Sequence, residues 1–277
     1  MRLVAAATIA LALTSLAAAQ QLRQPVPRTT PAPRTSTPKT AAKTAAPPAR
    51  EAPVPFRVGE TLTYDVSWSS YVTAGSATLK VMERKPSYGS DAYYIVAEGR
   101  PTPLLSKLYE LYYKADTLLD VYSLLPQRGS VYSEEGKRHR MKVTMFDQAT
   151  KKASYEVQTR TVVKKDLAIP SYTQDALSAI YVLRAIALKQ GDKFVMPVCD
   201  GGETYKVQIQ IGGVEPVKTG MGEVRAWKIT PALPSGSAGG ARRLTLWLSD
   251  DARRLPVRLQ AQLAVGSFDL TLKTAGR

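Results

Sequence analysis

The chain has 277 residues and carries 38 Lys and Arg against 23 Asp and Glu, a formal net charge of +15, with one cysteine and one histidine. A single cysteine excludes an intramolecular disulfide, and one cysteine with one histidine excludes an ordinary zinc site. Stability must therefore come from a packed core, and the excess positive charge points to anionic partners.

In chain order, Met1-Arg2 and the apolar run Leu3 to Leu16, followed by Ala17-Ala18-Ala19, form the pattern of a cleaved export signal over residues 1–19. Cleavage is expected near Ala19. The apolar run is too short for a comfortable membrane span, and no cysteine follows the cleavage point to carry a lipid. The expected location is periplasmic or secreted. Residues 20–55 hold nine of the nineteen prolines and six basic residues against Glu51. This segment reads as a disordered, basic Pro/Thr/Ala/Lys-rich linker, with a reach on the order of 100 Å if extended. From residue 56 onward, 31 basic and 22 acidic residues remain. In an exported protein the polyanions to hand are phospholipid headgroups, lipopolysaccharide phosphates or other surface polymers, so nucleic acid is not an expected partner.

Residues 56–277 read as a single β-rich domain. Leu62, Tyr64, Val66 and Trp68 alternate with polar residues, as do Ala77, Leu79 and Val81, and later Tyr205, Val207, Ile209 and Ile211. Period-two alternation puts one side of each strand in a core and the other in water. A short helical piece is expected at Leu104 to Glu110. The segment Asp175 to Lys189 breaks the alternation and reads as a helix, with Thr173 or Asp175 at its start and Gly191 as its stop. Its apolar residues wrap most of the circumference, so it should be buried nearly all round. Near the C-terminus, Leu244 to Leu259 reads as strand, tight turn and strand, the turn being Asp250-Asp251-Ala252-Arg253-Arg254; the alternation then runs through Ala261 and Leu263 to Val265. The expected fold class is mainly β with one or two helices: a curved antiparallel sheet, half-barrel or open barrel, packed around a central helix.

Chemistry-bearing sets are sparse. His139 stands at the rim of an alternating strand with no Gly-x-Ser-x-Gly elbow to supply a nucleophile. Cys199 sits at a strand end before Gly201-Gly202 and reads as a half-buried structural thiol. Asp250-Asp251 resembles a carboxylate pair, but adjacent aspartates in a tight turn bond backbone N–H groups, with solvated pairs to Arg253 and Arg254 beside them. The expectation is no catalytic residue, no cofactor, no metal and no enzyme. The candidate sites are binding faces. Arg138, Arg140 and Lys142 lie on one side of their strand and are assigned to solvent, near Lys151, Lys152, Arg160, Lys164 and Lys165, as contacts for anionic headgroups. Met141, Val143 and Met145 lie on the other side and are assigned to the apolar interior. With Leu244, Leu246, Leu248, Val257, Leu259 and Tyr181 they make the candidate ligand-facing set.

Three segments together carry a resemblance. They are Phe56 to Trp68 with Ala74 to Ala77, Asp175 to Arg184, and Trp247 to Val257 with the strand after Gly266. In order and spacing they resemble a bacterial exported family, domain of unknown function 3108; the architecture is also similar to half-barrel lipoprotein carriers of the bacterial envelope. The resemblance implies a β-rich exported protein and transfers no catalytic residue. The expected function is a monomeric, non-catalytic envelope protein that binds a lipid or other amphiphile on the concave face of its sheet. The alternative is an envelope adaptor holding other proteins or anionic surface polymers.

Overall fold

The computed structural model describes residues 50–69, 72–108, 110–232, 243–263 and 266–276, so the export signal, residues 20–49 and Val265 lie outside the described residues. Fourteen strands and two helices follow in order: β1 (Thr61–Trp68), β2 (Val72–Ser87), β3 (Ser90–Pro101), α1 (Pro103–Leu108), β4 (Leu111–Asp120), β5 (Pro126–Glu135), β6 (Arg138–Asp147), β7 (Lys152–Gln158), β8 (Val162–Ala168), α2 (Ala176–Ala185), β9 (Lys193–Asp200), β10 (Glu203–Thr219), β11 (Gly222–Ala232), β12 (Arg243–Ser249), β13 (Pro256–Leu263) and β14 (Gly266–Gly276). They form one antiparallel sheet in the order β8-β7-β6-β5-β4-β3-β2-β1-β14-β13-β12-β11-β10-β9. Every neighbour is a sequence neighbour except β1 and β14, so the sheet is two meanders sealed where the first and last strands pair.

The outer strands β8 and β9 do not pair, yet the sheet curves until they approach. Lys165 Nζ donates to Gly202 O at 2.8 Å, and Gly202 lies against the Tyr155 ring. Gln174, in the segment between β8 and α2, exchanges backbone hydrogen bonds with Pro197 and Cys199 of β9. The result is the open barrel expected from the alternation, its seam bridged by one loop and one turn. Gly202 has φ +79°, and a Cβ there would stand 2.7 Å from Tyr155, so only glycine serves this turn.

The central helix is present and shorter than its apolar pattern. It starts where predicted: Asp175 is the N-cap, its side chain accepts from the Leu177 and Ser178 N–H groups, and Ser178 Oγ accepts from the Asp175 N–H. It ends at Ala185 rather than at Lys189, because Ile186 is already extended; extension carries Leu188 onto Met196 and Ile209 of the sheet. Gly191, with φ +94°, turns the chain further on instead of capping the helix. One side of α2, through Leu177 and Tyr181, joins Leu62, Tyr64, Val81, Ile95 and Leu119. Leu183, further along α2, packs with Ile211, Ile229, Leu246 and Leu248. The short helix expected near Leu104 is α1.

The linker assignment runs a few residues too far. Ala52 N–H donates to Val121 O at 3.0 Å, Glu51 pairs with Arg84, and Val54 packs beside the core residue Phe56. The domain therefore begins close to residue 51.

Asp175 is a capping carboxylate closed in by Thr117, whose hydroxyl donates to it at 2.6 Å, and by Gly129. Burial outweighs these hydrogen bonds and pushes its pKa up to about 6. Folding thus favours the protonated acid. The resulting stability is fully present below about pH 4, the unfolded value, and is lost as pH rises to about 6. Asp175→Asn keeps an acceptor for the cap and removes the charge. Denaturation of wild type and variant across this range is expected to show wild type losing up to about 3 kcal/mol relative to the variant as pH rises from about 4 to 6; a pH-independent difference would contradict the assignment.

Candidate ligand-binding face

Which side of the sheet faces inward is read from the partners of α2. Thr117 of β4 reaches Asp175 at the helix start, and across the ladder Thr117 pairs with Gly129, Gly129 with Thr144, and Thr144 with Tyr155. Directly opposite residues share a face. Two positions further along the strands, Ala115, Val131, Lys142 and Val157 form the next inward row. Next again come Tyr113, Ser133 and Arg140.

The expected orientation of β6 is therefore reversed. Arg140 and Lys142 point to the concave side, Lys142 only 8% exposed, whereas Met141, Val143 and Met145 lie half-buried on the convex side. The alternation was assigned correctly to two faces; the wrong one was given to the core. The physical reason is that the interior here is polar. The β9–β10 turn brings Asp200 inside, and its carboxylate stands near Lys142 and Tyr155. On the convex side the methionines and Val143 lie among long neighbours: Tyr88 Oη reaches Met145 Sδ at 3.7 Å, and Met141 faces Tyr132. Arg138, at the strand's end, is exposed.

Burial disfavours charge throughout this cluster. It lowers the Lys142 ammonium, opposed by the nearby Asp200 carboxylate, and raises Asp200, opposed by Lys142. The Tyr155 phenol is pushed up to about 12, first by burial and then by Asp200. Tyr113 Oη donates to Glu135 at 2.6 Å at the outer end of the same face.

The opposite wall is apolar. Leu272, Leu270 and Phe268 line the inner side of β14, and Phe268 meets Trp68 edge to face with centroids 4.4 Å apart. Leu259 and Ala261 continue this wall across β13. One concave surface thus has a charged, hydrogen-bonding side, where Arg140 and Lys142 stand with Asp200 and Glu135, and an aromatic-aliphatic side.

Leu246, Leu248 and Val257 face inward, where α2 and its neighbours cover them, and Tyr181 lies on α2 itself; each of the four is at most 3% exposed. Leu244 and Leu259 are half-buried, nearer the uncovered part of the face. Two surface hollows, of about 440 and 420 Å³, lie elsewhere, one at the β6–β8 edge and one beside Phe56, Glu60 and Arg253.

His139 is exposed on the convex side with Glu134 and Tyr132 as neighbours. Cys199 is fully rather than half buried, and burial pushes its thiol up to about 11, far from a reactive thiolate. Asp251 caps its turn as expected, accepting from Ser249 Oγ and the Arg253 and Arg254 N–H groups. The arginine pairing differs: Arg254 lies towards Asp250, 3.9 Å away, and over the Trp227 ring. Among the described residues no group of three or more metal-ligating side chains converges.

The residue that sequence reasoning passed over is Arg184. Its guanidinium is completely buried and donates to both Glu60 oxygens at 2.7 and 2.9 Å, to Arg254 O at 3.0 Å and to Arg253 O at 3.2 Å. It also lies over the Phe56 and Tyr181 rings. Glu60, Arg184 and the Arg253-Arg254 turn belong to the three segments that carried the family resemblance. The signal available was one charge on an otherwise apolar helix face.

Fold and site together define a helix-plugged open β-barrel with a two-sided concave face. The chain belongs to the family described as Protein of unknown function (DUF3108), whose model matches residues 63–273. No curated protein matches the sequence. Among solved structures it is similar to a β-barrel-like protein of domain of unknown function DUF1849 from Brucella abortus, at 11% identity over 79% of this chain and 97% of that one, with a TM-score of 0.47. It is also similar to a Bacteroides fragilis protein with a YmcC-like fold, at 12% identity over 82% of this chain and 100% of that one, with a TM-score of 0.31.

Proposed function

We propose that this is an exported, non-catalytic envelope protein that binds an amphiphile with an anionic headgroup on its concave face. The export signal read at residues 1–19 supports the location. The observation that carries the binding reading is the inward direction of Arg140 and Lys142 opposite the Trp68–Phe268 wall. Lys142 and Arg140 contact the headgroup, and the half-buried Trp68, Leu259 and Leu270 take the chain. A binding face of this kind pairs a mostly apolar lining with a few placed polar groups. The deeper half of the barrel is filled by α2, so the ligand occupies the half nearer Arg140.

The test is an isotherm with dodecyl phosphate below its micelle concentration, beside dodecyl maltoside. Saturable binding of the phosphate is expected, weakened about tenfold or more when Arg140→Met and Lys142→Met are combined. The convex-side change Met141→Ser should leave it unchanged. Equal affinity for both detergents, or no effect of the paired change, overturns the reading.

A further inference from the structure

Because the first eight strands form a meander, the β1–β2, β3–β4, β5–β6 and β7–β8 connections all lie at one end of the sheet. Hydrogen bonds tie three of them into one rim: Thr102 N–H to Ala74 O at 3.0 Å, and Gly136 N–H to Glu110 O at 2.8 Å. Helix α1 crosses this rim with Leu104 72% and Leu105 36% exposed, and Val72 next to it is 57% exposed. Around them stand the exposed cations Arg100, Lys107, Lys137, Arg138 and Arg160. The nearby carboxylates Glu98, Glu134 and Glu135 are half-buried and accept from Tyr112, Tyr132 and Tyr113, hydrogen bonds that leave their charge in place, and Glu110 is exposed; among the described residues of these connections the outermost charges are mostly cations. The other end carries Tyr88, 63% exposed, and the exposed Lys151 and Lys152, but fewer of its cations stand free. There Arg84 is paired with Glu51 and Asp91, and Lys85 with Glu83.

Exposed leucines and exposed cations on one rim match the two requirements of a membrane-surface contact, apolar groups to enter the acyl boundary and positive charge to meet anionic headgroups. We propose that this rim docks the protein on an anionic lipid bilayer, with α1 lying against the membrane. The proposal goes beyond the ligand reading and stands whether or not the interior holds an amphiphile.

The test is co-sedimentation of the full chain with phosphatidylcholine vesicles, with and without phosphatidylglycerol. Binding is expected only to the anionic vesicles. Leu104→Asp with Leu105→Asp, and separately Lys137→Glu with Arg138→Glu, should each weaken it about tenfold. Lys151→Glu with Lys152→Glu, the same charge change at the other end, should stay within about twofold. If the other-end change costs as much, or the leucine change costs nothing, binding is diffuse attraction to a basic chain and the proposal falls. All these positions are exposed, so circular dichroism should be unaltered, and the dodecyl phosphate isotherm of the variants separates this surface from the interior site.

Discussion

Replacing Arg184 by methionine is expected to cost about 3–5 kcal/mol of stability, the range for removing one partner of a buried ion pair. The guanidinium is 0% exposed and the Glu60 side chain 7%. Without Arg184 the Glu60 carboxylate would be left in a core with no cation to offset its desolvation, and the Arg253 and Arg254 carbonyls would lose their donor. The pair need not be net stabilising against an apolar substitute of equal shape. Its contribution is to fix one arrangement: α2 can dock only where both Glu60 and the β12–β13 turn are in place. Chemical denaturation of Arg184→Met, Glu60→Gln and the double variant checks this. The two single changes should each be severe and the double one clearly milder than their sum. Full additivity would mean that the residues act apart.

Leu248→Ala is expected to cost about 2–5 kcal/mol. Leu248 is fully buried and packs with Leu183, Ile229 and Leu246. The alternation placed it on a ligand-facing surface; the helix covers that surface, so the loss should appear in stability and leave dodecyl phosphate affinity intact. Leu104→Ala, of the same size on the exposed α1, should change stability by less than about 0.5 kcal/mol. Comparable melting of the two variants would contradict the assigned burial.

The strands were legible because each amphipathic run repeats with period two, and the start of α2 because Asp175 and Ser178 are spaced to cap each other. The aspartate turn was legible for the same local reason: Asp251 bonds N–H groups two and three residues on. What failed was non-local. In β6 the alternation separates Arg140 and Lys142 from Met141 and Val143 without saying which set is inside. That choice is made by Asp200, brought in by a turn some sixty residues later. Arg184 carried no local sign of its pairing because its partner, Glu60, lies 124 residues away. The helix ran short because Ile186 to Leu188 gain more by reaching the sheet than by extending the helix. The candidate ligand face depends on which side of β6 is inside.

The central claim is that the concave face holds an amphiphile with an anionic headgroup against Arg140 and Lys142. It is tested most directly by native mass spectrometry of the protein purified from its native cells without detergent exchange. The account predicts a bound species of discrete mass, with an acidic headgroup and an acyl or alkyl chain, lost when Arg140→Met and Lys142→Met are combined and retained in Met141→Ser. A protein that carries no such species, or one equally populated in the Arg140→Met and Lys142→Met double variant, would contradict it.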